Sequence, residues 1–196
     1  MRGFRILVVG VGGQGILLFS RLLGEAALSQ GYEVAMSEVH GMAQRGGVVE
    51  SNLVFGEVKS PYISPGEADI LVALEPVEAL RALGRCRKEA TALVSSDPVV
   101  PQLVKDGLAT YPEIEPLLEK MKEVLGKVYV FSGEKLARES GSVKVLNVVM
   151  LGALAGADLL PIPREAYLET IRRIVKPKFR DLNLKAFDLG YHAVKY

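Results

Sequence analysis

The sequence predicts an α/β fold, namely a Rossmann-like, doubly wound and mostly parallel sheet followed by a helical C-terminal part. Short apolar runs of strand length alternate with helix-length segments over residues 4–131, which is the pattern of a sheet with helices on both faces. A glycine-rich turn, Gly10–Gly15, follows the first of these runs and opens the first helical segment. From about residue 133 to 196 the patterns are helical, and the length suits a single domain over residues 1–196.

The first predicted unit is a strand, a turn, a helix and a second strand. Phe4–Val9 is an apolar strand, and about Gly13–Gln30 is a helix with apolar residues on most faces, which indicates burial. Gly31 is a natural residue to end this helix. Tyr32–Met36 then completes a βαβ unit with a right-handed crossover.

The remaining elements follow in the same alternation. Residues 37–47 are polar, rich in glycine and not periodic, so we expect a loop at the C-terminal edge of the second strand. Val48–Phe55 alternates weakly, as an antiparallel or edge strand does. The other predicted elements are strand Ala68–Leu74, a helix from Pro76 to about Leu83, strand Thr91–Ser95, helix Pro112–Leu125, strand Lys127–Phe131, and helices Glu134–Ser140, Val143–Ala157, Pro163–Val175 and Phe179–Val194.

Composition excludes several classes of function. The net charge is +1 and no basic cluster is interleaved with aromatic residues, so nucleic-acid binding is not expected. The longest apolar run, Val148–Ala157, is too short to span a membrane. The chain begins on a strand pattern without a signal peptide, and we expect a cytoplasmic protein.

Candidate nucleophiles and metal ligands are few. Cys86 is the single cysteine, and Arg85, Arg87 and Lys88 would lower its thiol pKa if it were exposed. No histidine lies near Cys86 in the sequence, which favours an unreactive thiol. His40 and His192 each lack a second ligand at metal spacing, so we expect no metal site.

The glycine turn is the first candidate binding site. Gly10, Gly12, Gly13, Gln14 and Gly15 belong to a G-x-G-x-x-G pattern between a strand and a helix. Glycines allow the backbone to approach a ligand closely, and the N–H groups that open the helix suit a phosphate. The alternative interpretation is that the glycines only permit close packing of the strand against the helix.

Glu38 is a candidate for nucleotide binding. It lies 23 residues beyond Gly15 and just after the predicted second strand, where a carboxylate can accept a hydrogen bond from a ribose hydroxyl. This arrangement would fit a stand-alone NAD(P)- or FAD-binding oxidoreductase. A solvated loop carboxylate is the other interpretation, and almost no substrate domain follows the sheet.

The loop from His40 to Gly47 is the second candidate site. The guanidinium of Arg45 lies between Gln44 and the pair Gly46–Gly47, and its planar fork with neighbouring backbone N–H groups suits a phosphate or carboxylate. The loop is equally suited to a partner subunit. Alternatively Arg45 holds the loop together, and His40 is a structural histidine.

Two of these stretches together resemble the gamma-type subunit or domain of 2-oxoacid:ferredoxin oxidoreductases. They are Gly10-Val11-Gly12-Gly13-Gln14-Gly15 and Glu38-Val39-His40-Gly41-Met42-Ala43-Gln44-Arg45-Gly46-Gly47. The form His-Gly-Met-Ala-Gln-Arg-Gly-Gly is most similar to the beta subunit of indolepyruvate:ferredoxin oxidoreductase. Asn147–Gly152 and Asn183–Gly190 also fit, so the resemblance covers nearly the whole chain.

The resemblance implies a reaction that this chain does not perform alone. The family decarboxylates a 2-oxoacid on thiamine diphosphate, passes electrons through iron–sulfur clusters to ferredoxin and forms an acyl-CoA. Thiamine diphosphate, Mg²⁺ and the clusters are then expected on a large alpha subunit, and one cysteine cannot ligate a four-cysteine cluster. Coenzyme A is the candidate ligand of this chain, and an arylpyruvate such as indolepyruvate is the candidate substrate. A ligand-free structural subunit is the remaining alternative.

Overall fold

The computed structural model describes residues 3–41, 47–57 and 60–195. Within them a six-stranded sheet is covered by helices on both faces, which confirms the predicted α/β class with a helical C-terminal part. The strands are β1 (Phe4–Val11), β2 (Val34–His40), β3 (Val48–Phe55), β4 (Ala68–Ala73), β5 (Cys86–Ser95) and β6 (Lys127–Phe131). The α-helices are α1 (Ile16–Ser29), α2 (Pro76–Ala82), α3 (Gln102–Lys105), α4 (Ile114–Val124), α5 (Gly133–Ser140), α6 (Leu146–Gly156), α7 (Arg164–Ile174) and α8 (Arg180–Ala193).

The sheet is parallel except for one strand. Its order is β2-β3-β1-β4-β5-β6, and β3 pairs antiparallel with both β1 and β2. Of the two alternatives predicted for β3, antiparallel or edge, the first is observed, because β3 is an internal antiparallel strand. The two strands of the predicted βαβ unit run parallel to each other with β3 between them, so they do not pair directly.

The second strand is longer than predicted. It continues through Ser37–His40, which the sequence had indicated to be loop. The error has a physical cause, because β2 is an edge strand whose side chains are only partly covered, so polar residues are tolerated there. Its last residue, His40, pairs with Val49 of β3, so β2 and β3 form a hairpin around residues 41–47.

Two hydrophobic clusters fill the space on either side of the sheet. Helix α1 and the C-terminal helices α5–α8 cover one face, with Phe19 and Phe187 among the fully buried side chains. Helices α2 and α4 cover the other face, where Met121 is fully buried. Most of α1 is buried as predicted, although Leu17 and Leu28 are half exposed. No helix in the described part of the chain has the length and apolar character that a membrane span requires.

Helices α6 and α8 cross in backbone contact. A Cβ atom built on Gly152 would lie less than 3.0 Å from the Phe187 carbonyl, and one built on Gly190 would lie equally close to the Val149 carbonyl. Only glycine allows this approach. The two C-terminal stretches that resemble the family, Asn147–Gly152 and Asn183–Gly190, thus contain the residues at which these helices meet.

Candidate functional site

The glycine turn lies at the carboxyl edge of the sheet, between β1 and β4. Helix α1, which follows β1, packs on one face, whereas α2, which follows β4, packs on the other. These two neighbouring strands therefore form a topological switch point, where a crevice opens at the sheet edge. Ligands of open α/β sheets bind in such a crevice.

The side chain of Gln14 fastens the turn to both strands of the switch point. Its Oε1 accepts a hydrogen bond from the Val11 N–H at 2.9 Å, and its Nε2 donates to the Leu74 carbonyl at 2.8 Å. A Cβ atom on Gly10 would lie 2.5 Å from Gln14 Oε1, so glycine leaves the room that this amide occupies. Gly10 and Gln14, both predicted to bind a cofactor, thus have a clear role in shaping the turn.

The structure brings the two predicted motifs together. The Gly12 N–H donates to the carbonyl of Gly47 at 2.9 Å, which joins the glycine turn to the end of the second motif. Of that second motif, Gln44, Arg45 and Gly46 lie outside the described residues. The link nevertheless places the end of the β2–β3 connection directly beside the turn.

Several backbone N–H groups at the turn lack a protein acceptor among the described residues. Gly13 and Gly15 have φ angles of 102° and 77°, conformations that favour glycine. Within residues 3–41, 47–57 and 60–195, the N–H groups of Gly13, Gly15 and Ile16 have no protein acceptor. They lie at the N-terminus of the 14-residue helix α1, where the helix dipole favours an anion.

Asn147 supports the turn from behind. Its Nδ2 donates to the Gly15 carbonyl at 3.0 Å, and a Cβ atom on Gly15 would lie 2.7 Å from the same nitrogen. The side chain is almost fully buried, and its Oδ1 has no partner among the described residues. Sequence reasoning had noted Asn147 only as part of a family-like stretch, because it is 132 residues from Gly15.

Glu38 is not brought next to the glycine turn. It lies on β2, and β3 separates this strand from β1, which corresponds to two strand spacings or about 10 Å. Its Oε2 is 3.3 Å from Nε2 of His40, and its Oε1 is buried without a partner in the described part of the chain. Glu38 and His40 therefore contact each other at the sheet edge.

A cavity of about 630 Å³ adjoins the turn on the side of α2. It begins at Val11 and Gly47, runs along α2 and is closed by residues 99–112. Glu75 is among its lining residues, is only 2% exposed, and accepts hydrogen bonds from the Glu78 N–H and the Tyr111 hydroxyl. The sequence had indicated the position of Glu75 at the end of β4, but not its contact with Tyr111.

Ionisable groups around this cavity are perturbed mainly by burial. Burial raises the pKa of the Glu78 carboxyl, the Arg81 guanidinium at 2.6 Å opposes the shift, and the Glu75 carboxylate adds to it. Burial and the hydrogen bond to Glu75 raise the pKa of the Tyr111 hydroxyl. Tyr111 is thus a neutral hydrogen-bond donor at pH 7.

Cys86 has the environment of an unreactive thiol. The side chain is buried, and burial raises its pKa to about 12 despite the neighbouring Arg85. The guanidinium of Arg85 is directed instead to Glu50 at 2.7 Å and Asn52 at 3.0 Å. The described residues contain no group of three histidine, cysteine, aspartate or glutamate side chains that could hold a metal ion.

Cys86 should therefore react very slowly in the folded chain. We expect its reaction with a thiol reagent such as DTNB at pH 8 to be at least about 100-fold slower than in the unfolded chain. The reagent cannot reach the buried sulfur, and the raised pKa keeps the thiol protonated. Absorbance of the released chromophore in buffer and in guanidinium chloride measures the two rates. Stoichiometric reaction of the native chain within the mixing time would contradict the buried position.

Comparison with known proteins decides the family. The family described as pyruvate ferredoxin/flavodoxin oxidoreductase matches residues 5–193. The chain belongs to this family. It is 44% identical over 197 residues to the indolepyruvate oxidoreductase subunit IorB of Pyrococcus horikoshii, covering 100% of this chain and 98% of that protein. The predicted resemblance is thereby confirmed, and it is supported over a stand-alone dinucleotide enzyme.

Two solved structures share the fold over the whole length of the family domain. The gamma subunit of a keto/oxoacid ferredoxin oxidoreductase from Geobacter sulfurreducens aligns with a TM-score of 0.71 at 25% identity, covering 97% of this chain and 98% of that one. A 2-oxoglutarate:ferredoxin oxidoreductase from Magnetococcus marinus, with 2-oxoglutarate, coenzyme A and succinyl-CoA bound, aligns with a TM-score of 0.76 at 21% identity. The alignment covers 100% of this chain and 31% of the longer one, so the fold occurs both as a separate chain and as part of a longer chain.

Proposed function

We propose that this chain is the non-cluster subunit of a cytoplasmic indolepyruvate or arylpyruvate:ferredoxin oxidoreductase. The observation that carries the proposal is the 44% identity to an IorB subunit, because that match covers the whole of this chain and nearly the whole of the relative. The enzyme decarboxylates the 2-oxoacid oxidatively, reduces ferredoxin and releases an acyl-CoA.

The redox and thiamine chemistry belongs to a large alpha subunit. Cys86 is the only cysteine of this chain and is buried, whereas an iron–sulfur cluster needs several thiolate ligands. We therefore assign the clusters, thiamine diphosphate and Mg²⁺ to the partner, through which electrons pass to ferredoxin. The present chain contributes binding and orientation.

Coenzyme A is the ligand that suits the glycine turn. Its diphosphate can accept hydrogen bonds from the N–H groups of Gly13, Gly15 and Ile16, which have no acceptor in the described part of the chain and lie at the N-terminus of α1. When bound, coenzyme A supplies the thiol that accepts the acyl group. Gln14 and Asn147 hold the turn in the conformation that presents these N–H groups.

Reconstitution of the complex tests this function. We expect ferredoxin reduction that depends on indolepyruvate and coenzyme A only when this chain and the large cysteine-rich chain are both present. Arylpyruvates should be used in preference to pyruvate and 2-oxoglutarate. Full activity of the large chain alone would contradict the proposal, and a preference for 2-oxoglutarate would contradict the substrate class.

Titration calorimetry separates a ligand-binding subunit from a purely structural one. The assembled complex should bind coenzyme A, and Gly13→Ala should weaken this binding because alanine disfavours a φ of 102°. The Cβ atom of this alanine meets no other atom within 4 Å, so the variant should still fold. Native affinity in the variant would indicate that coenzyme A does not contact the turn.

A further inference from the structure

We infer that the large alpha subunit proposed above docks on the open edge of strand β2 and adds an extended strand of its own to the sheet. The inference rests on the proposed function, because it names where that partner binds. We call this region the β2 edge surface. It consists of the outer backbone edge of Val34–His40 and five exposed apolar side chains beside it: Leu17, Leu28, Met36, Val39 and Val48.

The outer edge of β2 carries unpaired backbone groups. β2 is the terminal strand of the sheet within the described residues, and all seven of its residues pair with β3 without a shift in register. The Gly41 N–H donates to the Val48 carbonyl at 2.7 Å, and in an antiparallel ladder the direction of these groups alternates from one residue to the next. The N–H and C=O groups that point away from β3 therefore belong to four residues: Val34, Met36, Glu38 and His40. β2 contains neither proline nor lysine, two residues that protect edge strands from pairing with another chain.

Apolar side chains flank this edge on the side of helix α1. A Cβ atom on Gly24 would lie 3.5 Å from Cγ1 of Val34, so one side of α1 runs beside the strand. Leu17 and Leu28 lie seven residues before and four residues after Gly24, on the same side of the helix, and both are half exposed. Met36 is two residues from Val34, therefore on the same face of the strand, and is 42% exposed.

Apolar side chains also flank the edge on the opposite face of the sheet. Val39 is 60% exposed and is paired with Glu50 of β3. Val48 is thus the diagonal neighbour of Val39 on the same face, and it is also exposed. Single exposed apolar side chains are common on protein surfaces, whereas apolar side chains on both sides of an open strand indicate an interface.

The β2 edge surface borders the glycine turn. Leu17 is the second residue of α1, directly after the turn. Val48 follows Gly47, whose carbonyl accepts the hydrogen bond from the Gly12 N–H. A chain docked on this surface therefore lies beside the ligand proposed for the turn. The alpha subunit requires this position, because the acyl group formed there must meet the thiol of the coenzyme A that the present chain binds.

Charge favours the alpha subunit over a second copy of this chain. Antiparallel pairing of two copies over the whole of β2 has its two-fold axis at Ser37, which places Glu38 of each copy opposite Met36 of the other. The two Glu38 carboxylates are then diagonal neighbours on one face, where their charges repel. A different strand that carries lysine or arginine beside Glu38 forms an ion pair instead. The occupant is thus an extended, mainly apolar segment of the alpha subunit with a basic residue at this position.

A charged variant in the reconstituted complex tests the apolar part of the surface. Val39→Lys leaves its ammonium group in water in the isolated chain but buries it in the docked complex, which is unfavourable. The dissociation constant for the large cysteine-rich chain should rise at least about tenfold. Val124→Lys, at an exposed valine on α4, should leave it unchanged. Analytical ultracentrifugation of the mixed chains measures both constants, and circular dichroism of each isolated variant should match that of the native chain.

A proline variant tests the pairing of strands. The Met36 N–H points away from β3, so Met36→Pro removes no hydrogen bond of the sheet but blocks the outer edge. We expect it to weaken binding of the large chain at least about tenfold, whereas Met36→Ala, which keeps the N–H, should weaken it less. Equal weakening by proline and alanine would overturn the added strand.

The remaining outcomes separate the inference from the function on which it rests. Native affinity of the large chain for folded Val39→Lys and Met36→Pro chains overturns the docking surface and leaves the proposed subunit function intact. If these variants abolish self-association of the isolated chain and still bind the large chain, a second copy occupies the edge and the inference is wrong. Failure of the native chain to bind the large chain overturns both the docking surface and the proposed function.

Discussion

Gly190→Ala is expected to lower the free energy of unfolding by about 2 to 4 kcal/mol, although alanine is the better helix former. Alanine in a helix gains about 1 kcal/mol over glycine. The added Cβ atom would, however, lie well inside van der Waals contact with the Val149 carbonyl, a backbone atom that cannot rotate away. Helices α6 and α8 must then separate. Overpacking typically costs about 1 to 3 kcal/mol and occasionally more, and a clash this close with rigid backbone is expected to exceed the typical range.

Chemical denaturation of the isolated chain measures this effect, and Gly84→Ala is its matched control. A Cβ atom on Gly84 meets nothing within 4 Å, and the residue lies in the short 3-10 helix Leu83–Arg85. We expect the control to change stability by less than about 0.5 kcal/mol. The midpoint of thermal unfolding should fall by roughly 5 to 15 °C for Gly190→Ala. Equal stability of the two variants would show that α6 and α8 are not in backbone contact.

The elements of the fold were predictable where local pattern decides them. The apolar strand β4, the proline-started helix α2 and the strand β6 were predicted within one residue of their observed ends. Their signals are local, since each depends on the residues of the element itself and on its immediate neighbours. The long apolar helix predicted over Val143–Ala157 is likewise present as a short 3-10 turn followed by α6.

The order in which the strands pair was harder to predict from sequence than the strands themselves. Alternation in Val48–Phe55 predicts a strand that is either antiparallel or at an edge, but it does not specify the two neighbours. The insertion of β3 between β1 and β2 is a property of the whole sheet. It also explains why the ribose role considered for Glu38 lacks its usual geometry, because that role depends on a strand directly beside β1.

The sequence predicted the glycine turn, but not the distant residues that hydrogen-bond to it. The glycine-rich pattern predicted a turn between β1 and α1, and two of its glycines, Gly13 and Gly15, have positive φ. The bonds that hold the turn join residues far apart in the chain: Gln14 to Leu74 across 60 positions, and Asn147 to Gly15 across 132. No local pattern specifies such partners. The roles of these two amides therefore emerge only from the folded structure.

Gln14→Leu is expected to lower both the stability of the chain and the coenzyme A affinity of the complex. Leucine is similar in size but removes both hydrogen bonds, which leaves the Val11 N–H and the Leu74 carbonyl without partners. Each unsatisfied buried group costs about 1 to 3 kcal/mol, so we expect a loss of about 2 to 4 kcal/mol in unfolding free energy. Because the turn is no longer fastened to β4, coenzyme A affinity of the complex should fall at least about tenfold.

The same substitution at the opposite end of α1 separates this effect from a general response to an added leucine. Gln30 is exposed, and within the described residues its side-chain amide bonds only to the exposed Ser29 hydroxyl. Gln30→Leu should therefore keep native stability and native coenzyme A affinity. Denaturation and calorimetry together distinguish two roles of Gln14. If Gln14→Leu lowers stability but leaves the coenzyme A affinity unchanged, Gln14 only stabilises the fold. If both fall, the hydrogen bonds of Gln14 also maintain the binding site. Native stability in Gln14→Leu would contradict the two hydrogen bonds, since no described contact could replace them.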